Sequence, residues 1–547
     1  MNKHAVYHKS DSLYCFPVAV DMVEIRLRAA RGDVAYATLI YGKKHMFIMD
    51  RKSENMELKV SDALYDYFVL RLRLTDKRLA YVFSITDTEG NKYYYSEDGL
   101  TDTYDFSLAY YNFFQLAYIN ECDVMKPVDW LSSAVVYQIF VDRFCRGGED
   151  DSYINMKWGE RPTPKSFAGG DLYGIANKLD YLTDLGVNTL YLTPIFSSKS
   201  NHKYDVSDYY NVDEHFGGNK AFGRLMDECK KRGVRVILDA VFNHCSEDLA
   251  EFCDVREKGR LSSYHDWFII NGDKPTKKPL NYEVFSSCDY MPKWNTSNKE
   301  VQEYLCRVGE YWIKNYGIDG WRLDVSDEVG HEFWRKFRTR IKALGEDKAL
   351  IGENWHDSRS YLRGEQFDSI MNYAFTKAML DYFAYGKITT MELCDRLNGL
   401  LMRNITQVNR MMLNLLDCHD THRFFSMCGM DENKLLSALA IELFMPGAAM
   451  IYYGTEIPLE GGYDPDSRRC FIWGDHPFAT KIKELLRYKK LRALAEGDVA
   501  FGCENGLFTV TRTAVGQIVK LYVNNTEGEI TADGVTVKPQ GYEITVK

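Results

Sequence analysis

From about residue 130 onward, short apolar segments alternate with amphipathic helical segments, and this alternation constrains the fold more than any other feature. Helical periodicity is clear before Gly233 and Gly317, glycines that are typical of helix ends. Eight strand–helix units in this order predict a closed (β/α)8 TIM barrel in an α/β chain. The eight strand candidates are VVYQIF (135–140), VNTLYLTP (187–194), VRVILDAV (234–241), GWRLDV (320–325), LIGEN (350–354), SIMNY (369–373), MLNLLDC (412–418) and AMIYYG (449–454).

An open, doubly wound sheet is the alternative fold for such an alternation. That fold favours a glycine-rich phosphate loop after its first strand, and VVYQIF is not followed by one. The closed barrel is therefore the preferred prediction.

The two flanks of the barrel have β character. Residues 1–125 contain alternating runs such as MVEIRLRA and YFVLRLRL between turn signals, which predicts an N-terminal β-sandwich. Residues 471–547 contain LFTVTRT, QIVKLYVNN and YEITVK and predict a C-terminal β-sandwich. The barrel then spans 126–470 and includes a small subdomain at about 245–298, inserted after its third strand.

Composition excludes several classes of function. The 547 residues are 45% hydrophobic and 27% charged, with net charge −10 and no basic run, so we expect no nucleic-acid partner. No apolar stretch reaches membrane-spanning length, and the N-terminus has no apolar signal region. Thirteen cysteines without a CxxC pair are typical of free thiols, which predicts a cytoplasmic protein.

Acidic residues and histidines follow four of the predicted strands. Since barrel chemistry sits at the carboxyl ends of the strands, these side chains are expected to meet on one rim. Singly, each has an ordinary structural explanation, such as a strand-end acceptor for Asp239, a loop histidine for His244 or a turn cap for Glu353. Four strands that deliver carboxylates to one rim favour a catalytic site instead. The residues are Asp239, Asn243 and His244; Arg322 and Asp324; Glu353; and Asp417, His419 and Asp420.

Arg322 and Asp324 lie within the apolar segment GWRLDV, where charges are rare unless they are paired or used. Taken alone, this pair favours a buried structural salt bridge. Two residues apart on one strand, the side chains point to the same face, so the fixed positive charge can act directly on Asp324.

These segments resemble the ordered signature regions of the α-amylase family of glycoside hydrolases. The matching segments are LDAVFNH, GWRLDVSDE, IGEN and LLDCHD, together with GVNTLYLTP at strand two. MPKWN at 291–295 resembles the MPKLN motif of the neopullulanase, cyclomaltodextrinase and maltogenic amylase subgroup. Trp294 replaces the usual Leu of that motif, and His422 stands where the subgroup usually has Pro.

The resemblance implies a retaining α-glycosidase that hydrolyses α-1,4-glucosidic bonds by double displacement. Asp324 would be the nucleophile, Glu353 the general acid and base, and Asp420 the third carboxylate. Further residues carry over with smaller roles. The residues implied to bind substrate are Tyr204, His244, Arg322, His419, Asp464 and Arg468. Asp239 and Asn243 would hold these residues in place without contacting substrate themselves. The candidates for aglycone contacts are Phe285, Trp294 and Glu328.

Partners and metals also follow from the resemblance. We expect α-glucan oligosaccharides and cyclodextrins as substrates, no membrane partner, a homodimer and no required cofactor. Asp150, Asp151 and Asp171 offer oxygen ligands for a structural calcium ion, but Arg146 and Gly148 stand where the subgroup tends to place ligands. The alternatives are an α-glucosidase or transglycosylase on the same barrel, and a catalytically inactive sugar-binding relative.

Overall fold

The computed structural model describes residues 1–547, and the first 127 of them form two antiparallel sheets. One sheet has the strand order β1-β2-β6-β5, and the other has β4-β3-β7-β8-β9 with β10 beside β7. The strands are β1 Cys15–Ala19, β2 Met22–Ala30, β3 Val34–Gly42, β4 Lys52–Asn55, β5 Glu57–Ser61, β6 Tyr65–Arg73, β7 Leu79–Asp87, β8 Lys92–Ser96, β9 Gly99–Thr101 and β10 Phe114–Leu116.

The core of this unit explains why its strands alternate in sequence. Val23, Ile25 and Leu27 of β2 occur at every second position and therefore share one face of their sheet. Residues from the other sheet, such as Leu39 and Phe83, belong to the same buried cluster. This packing confirms the predicted N-terminal sandwich. Residues 388–409 and 501–503 cluster with it in one unit.

The second unit contains a sheet of eight parallel strands in the order β18-β17-β16-β15-β12-β11-β20-β19. A parallel bridge between Met371 and Leu413 joins its two ends, so the sheet closes and the predicted barrel is confirmed. β13 and β14 form a separate hairpin after β12. The ranges are β11 Val135–Ile139, β12 Thr189–Leu192, β13 Phe196–Ser197, β14 Asp208–Val212, β15 Arg235–Ala240, β16 Gly320–Leu323, β17 Ala349–Gly352, β18 Ser369–Ile370, β19 Leu413–Leu415 and β20 Ala448–Tyr452.

Two long helices end at the glycines that the sequence identified as helix ends. Gly233 and Gly317 adopt φ of 67° and 72° at the ends of Gly218–Arg232 and Lys299–Tyr316, a left-handed conformation that glycine adopts without strain. The other α-helices are Val141–Phe144, Leu172–Asn177, Leu179–Leu185, Ala250–Lys258, His331–Lys342, Tyr373–Met379, Thr390–Met402, Thr406–Asn409, Phe424–Met427, Glu432–Phe444, Pro477–Leu486 and Arg492–Glu496.

The chain after residue 496 is again mostly β structure. β22 pairs with β23 and β23 with β26, all antiparallel, while β24 and β25 form a separate pair. The strands are β21 Asp498–Glu504, β22 Leu507–Ala514, β23 Gln517–Val523, β24 Ile530–Ala532, β25 Val535–Val537 and β26 Tyr542–Val546. All thirteen cysteines are free, and none of the helices combines the length and apolar character needed to span a membrane.

Candidate active site

Arg322 lies at the centre of a group of four carboxylates at one end of the barrel. Its side chain is 1% exposed, with Nη1 2.6 Å from Asp324 Oδ1 and 3.0 Å from Asp239 Oδ1. Nη2 lies 2.9 Å from Glu353 Oε2 and 3.9 Å from Asp420 Oδ2. One guanidinium therefore joins acids that follow four different strands.

The register of the sheet brings these groups together. Asp239 in β15 lies directly beside Arg322 in β16. Beyond the strands, the Asp324 N–H donates to Ala240 O (3.1 Å) and the Glu353 N–H donates to Leu323 O (2.9 Å), so the ladder continues to both acids. Successive parallel strands thus present their carboxylates at the same end of the barrel.

Burial dominates the electrostatics of the group. It raises the pKa of Asp239 to about 6 and the pKa of Asp324 well above its ordinary value, while Arg322 is the largest opposing influence on both. Arg322 opposes the effect of burial and favours the ionised forms of both acids. Asp239 and Asp324 together therefore hold a proton more readily than two isolated carboxylates do.

The two oxygens of Asp324 differ in their surroundings. Oδ1 accepts a hydrogen bond from Arg322, whereas Oδ2 is buried and has no hydrogen-bond partner. A buried carboxylate oxygen without a partner is costly and marks a position prepared for a ligand or a reaction. Oδ2 is thus the oxygen of Asp324 that is left free to contact a ligand.

His419 links the barrel interior to Asp420. Gln138 Nε2 donates to His419 Nδ1 (2.9 Å), which places the ring proton on Nε2, 3.2 Å from Asp420 Oδ2. Burial lowers the pKa of His419 well below its ordinary value, so the ring is neutral. Tyr204 lies parallel to this ring at 5.5 Å, and its hydroxyl donates to Asp239 (3.1 Å).

His244 stacks on Phe285, with ring centroids 4.6 Å apart. Its Nε2 is buried without a hydrogen-bond partner. Asn243 and Lys293 both lie near Glu328, the latter with Nζ 2.9 Å from Glu328 Oε2. These side chains lie next to one another, and His244 Nε2 is the atom among them that is free to bind a ligand.

The buried, neutral His244 makes stability depend on pH. Burial lowers its pKa to about 3, so between pH of about 6.5 and 4.5 the unfolded chain binds a proton there that the folded chain does not. The wild type should therefore lose stability relative to His244→Gln as pH falls, by about 1.4 kcal/mol per pH unit. Urea unfolding of both proteins across this range measures the difference, and a difference independent of pH would contradict the assignment.

Trp294 does not reach the site. It is 1% exposed, stacks on Phe268 at 5.2 Å, and donates through Nε1 to the Tyr209 hydroxyl (3.2 Å). The hypothesis of an aglycone contact fails for this side chain because no surface of it is free for a sugar. Trp294 packs the inserted segment instead.

Two cavities adjoin the acids. The larger, about 610 Å³, is lined by His202, Asp205, Tyr290, Asp464 and Arg468 among others. The smaller, about 250 Å³, is lined by Asp420 itself and by the aromatic rings of Trp355, Tyr385 and Tyr463. Arg468 contacts both Asp464 (3.0 Å) and Asp420 (3.3 Å), so it borders the acids and the larger cavity.

The sequence analysis did not identify three residues that lie at the site, namely Trp355, Tyr373 and His202. Trp355 donates through Nε1 to Glu353 Oε1 (3.0 Å) and stacks on Tyr373 at 3.7 Å. His202 accepts from the Tyr204 N–H through Nδ1 (3.1 Å), and burial lowers its pKa to about 4. Trp355 and His202 each stand two residues from a predicted site residue, a spacing that could have identified them.

The residues considered for calcium do not fit a calcium site. Asp171 accepts backbone N–H groups from Gly147 (2.9 Å) and Gly148 (2.7 Å) on Oδ2, and from Gly174 (2.7 Å) on Oδ1. The Arg146 guanidinium lies 3.8 Å from Asp151. Amide donors and an arginine thus occupy the positions where oxygen ligands would have to converge on a cation.

Comparison with known proteins agrees with this architecture. The alpha amylase catalytic domain matches residues 138–490, and the alpha amylase N-terminal Ig-like domain matches residues 1–120. A cyclomaltodextrinase of Thermoanaerobacter pseudethanolicus is 43% identical over 90% of this chain and 85% of its own length. Neopullulanase 2 of Thermoactinomyces vulgaris is 40% identical over 95% and 91%.

Among solved structures, a cyclomaltodextrinase superposes with a TM-score of 0.92 at 34% identity, covering 97% of this chain and 92% of that chain. The catalytic-domain match spans more than half of the chain, and it includes every strand end that delivers an acid to Arg322. This chain belongs to the α-amylase family of glycoside hydrolases.

Proposed function

We propose that this protein is a retaining α-glycosidase that hydrolyses α-1,4-glucosidic bonds of cyclodextrins, maltooligosaccharides and pullulan. The observation that carries the proposal is the pairing of Asp324 and Glu353 on one guanidinium, with Asp324 Oδ2 free of hydrogen bonds. Retaining enzymes require two such carboxyl groups about 5 Å apart, one as nucleophile and one as acid.

In the first step, Asp324 Oδ2 attacks the anomeric carbon and forms a C1–O bond as the bond to the leaving oxygen breaks. Glu353 donates its proton to that oxygen, which departs as an alcohol. Arg322 remains bound to Asp324 Oδ1 and stabilises the carboxylate before it attacks. The productive form of the site therefore carries its proton on Glu353 and has Asp324 ionised.

In the second step, Glu353, now ionised, removes a proton from a water molecule whose oxygen attacks C1. The C1–O bond to Asp324 breaks, and the product has the original anomeric configuration. A sugar hydroxyl in place of water would give transglycosylation by the same route. The site chemistry is compatible with both acceptors.

Asp420 serves neither as nucleophile nor as acid in this scheme. Its contacts with His419 Nε2 (3.2 Å) and Arg468 Nη2 (3.3 Å) fix its orientation beside the reaction centre. A carboxylate held in this way can bind sugar hydroxyls and stabilise the oxocarbenium-like transition state. Asp239 and Tyr204 support the same centre through Arg322 and His419.

The two cavities support a division of the cleft. Trp355 lines the smaller cavity and donates to Glu353, the group that protonates the leaving oxygen, so this cavity suits the leaving sugar. The larger cavity, with Asp464 and Arg468, suits the sugar that is transferred to Asp324. Glu328 and Phe285 lie beyond His244 and remain candidates for aglycone contacts.

Product analysis tests the proposal. The protein is incubated with β-cyclodextrin, pullulan and soluble starch, and the sugars are separated over time. Ring opening of cyclodextrin to maltose and glucose, faster than attack on starch, is expected from the relatives named cyclomaltodextrinase and neopullulanase. Release of glucose alone from chain ends would indicate an α-glucosidase. Binding without products would indicate an inactive sugar-binding protein.

Assembly and location complete the proposal. We expect a homodimer, supported by the match of the N-terminal domain to this family. Sedimentation at the assay concentration tests it, and a monomer with full cyclodextrin activity would overturn it. The thirteen free cysteines support a reducing compartment, and we propose the cytoplasm.

A further inference from the structure

Val325, the residue after the proposed nucleophile, has a left-handed backbone. Its φ is 44° and its ψ is 46°, a conformation that is a genuine outlier for a β-branched residue. Such a conformation is unfavourable and persists only where the surroundings of the residue fix it. Val325 is only partly buried, so hydrophobic burial of its side chain does not account for the conformation.

The contacts that fix this turn are directed at Glu353. The Val325 N–H donates to Glu353 Oε2 (2.9 Å). Ser326 donates twice to the Glu353 backbone oxygen, from Oγ (2.6 Å) and from its N–H (3.2 Å). Trp334 Nε1 in turn donates to Ser326 O (2.8 Å) and anchors the turn to a helix of the barrel.

Because of this turn, the two oxygens of Glu353 have different surroundings. Oε2 accepts a hydrogen bond from the Val325 N–H (2.9 Å) and forms an ion pair with Arg322 Nη2, also at 2.9 Å. A proton on Oε2 would lie beside the positive charge of Arg322 and would weaken the hydrogen bond from the Val325 N–H. Oε1 accepts one hydrogen bond, from Trp355 Nε1 (3.0 Å), a residue that lines the smaller cavity. One lone pair of Oε1 accepts that hydrogen bond, and a proton can be bound at the second lone pair of the same oxygen.

We propose that the left-handed turn at Val325 is a positioning element for the general acid, which reserves Oε2 as an acceptor and leaves Oε1 to carry the transferable proton. In the first step, the Oε1–H bond breaks and the proton moves to the glycosidic oxygen. The C1–O bond to that oxygen breaks as the bond from Asp324 to C1 forms. This inference rests on the proposed function, since it assigns an atom to the acid of that reaction.

Replacing the Val325 amide by an ester, through incorporation of 2-hydroxyisovaleric acid, removes the N–H and keeps the side chain. Phenyl α-maltoside needs a proton on its leaving oxygen, whereas α-maltosyl fluoride releases fluoride without one. We expect kcat/KM for the phenyl glycoside to fall about ten- to hundredfold, the effect of one hydrogen bond to a charged group, because Glu353 gains negative charge as the proton leaves Oε1. For the fluoride, we expect a change of less than about twofold, because the nucleophile is untouched.

A matched control is the same amide-to-ester change at Asn505, a left-handed residue (φ 52°) in the turn between β21 and β22. It should behave as the wild type with both substrates. Ser326→Ala provides a second test without backbone chemistry. It removes the Oγ donor to Glu353 and should also slow the phenyl glycoside more than the fluoride.

The outcomes separate the inference from the proposed function. An equal loss with both substrates would assign the turn a general structural role, and no loss with either would mean that its N–H does not position the acid. Either result overturns the inference. Failure of the wild-type protein to cleave either maltoside would instead overturn the proposed function.

Discussion

Replacement of Asp324 by Asn is expected to lower kcat/KM for β-cyclodextrin by at least about 10³-fold, the scale of loss for a covalent nucleophile. The amide has nearly the same size as the carboxylate but cannot form the glycosyl-enzyme. Initial rates of reducing-sugar release measure the loss.

The folded state should tolerate this change. Burial raises the pKa of Asp324 because it disfavours the charged form, and a neutral amide avoids this cost. Arg322 keeps Asp239 and Glu353 as partners after the substitution. We therefore expect an unfolding free energy no lower than that of the wild type, measured by urea denaturation.

Asp327→Asn is the matched control. Asp327 follows in the same loop, has an exposed side chain, and should keep activity within about twofold, as surface substitutions usually do. If Asp324→Asn retained more than about a tenth of the wild-type rate, Asp324 would not be the nucleophile. Equal losses in the two variants would point to disruption of the loop instead.

The barrel could be predicted from sequence because two independent patterns agreed. Apolar segments gave the strands, and acids at their carboxyl ends gave the rim on which they meet. The helix ends at Gly233 and Gly317 followed from the chemistry of left-handed caps. Each of these features depends on a short stretch of chain, and local chemistry determines it.

Features that depend on contacts between distant segments were less accessible. The aromatic ring of Trp294 could stack on a sugar or pack a loop, and only its burial against Phe268 and Tyr209 decides between them. The helix Thr390–Met402 clusters with the N-terminal strands, for example through Arg31 and Asp395 (2.8 Å). Such long-range partners leave no periodic signal in the sequence.

The left-handed Val325 shows a different limit. Local propensity opposes this conformation in a β-branched residue, so no rule of sequence could predict it. It arises because the turn donates a hydrogen bond to Glu353, which is also paired with Arg322 at the end of the barrel. Departures from local preference of this kind are expected where function constrains the chain.

Replacement of Glu353 by Gln is the second decisive test. We expect kcat/KM for β-cyclodextrin to fall about 10²- to 10⁴-fold, the usual contribution of proton transfer, because the amide cannot donate to the leaving oxygen. The Val325 N–H can still donate to the amide oxygen of Gln, so the turn and the nucleophile should keep their geometry. Circular dichroism and urea unfolding check that they do.

The sharper readout is the fate of the glycosyl-enzyme. α-Maltosyl fluoride can still react with Asp324 in the Glu353→Gln variant, since fluoride leaves without a proton, but no base remains to activate water. The variant should therefore accumulate a maltosyl adduct, visible as a mass increase on the peptide that contains Asp324. Azide, which needs no base, should release it as the α-anomer of maltosyl azide.

An adduct on another residue would reassign the nucleophile. Rapid turnover of the fluoride without an adduct or azide rescue would show that Glu353 is not the base, because the step it is proposed to catalyse would then proceed without it.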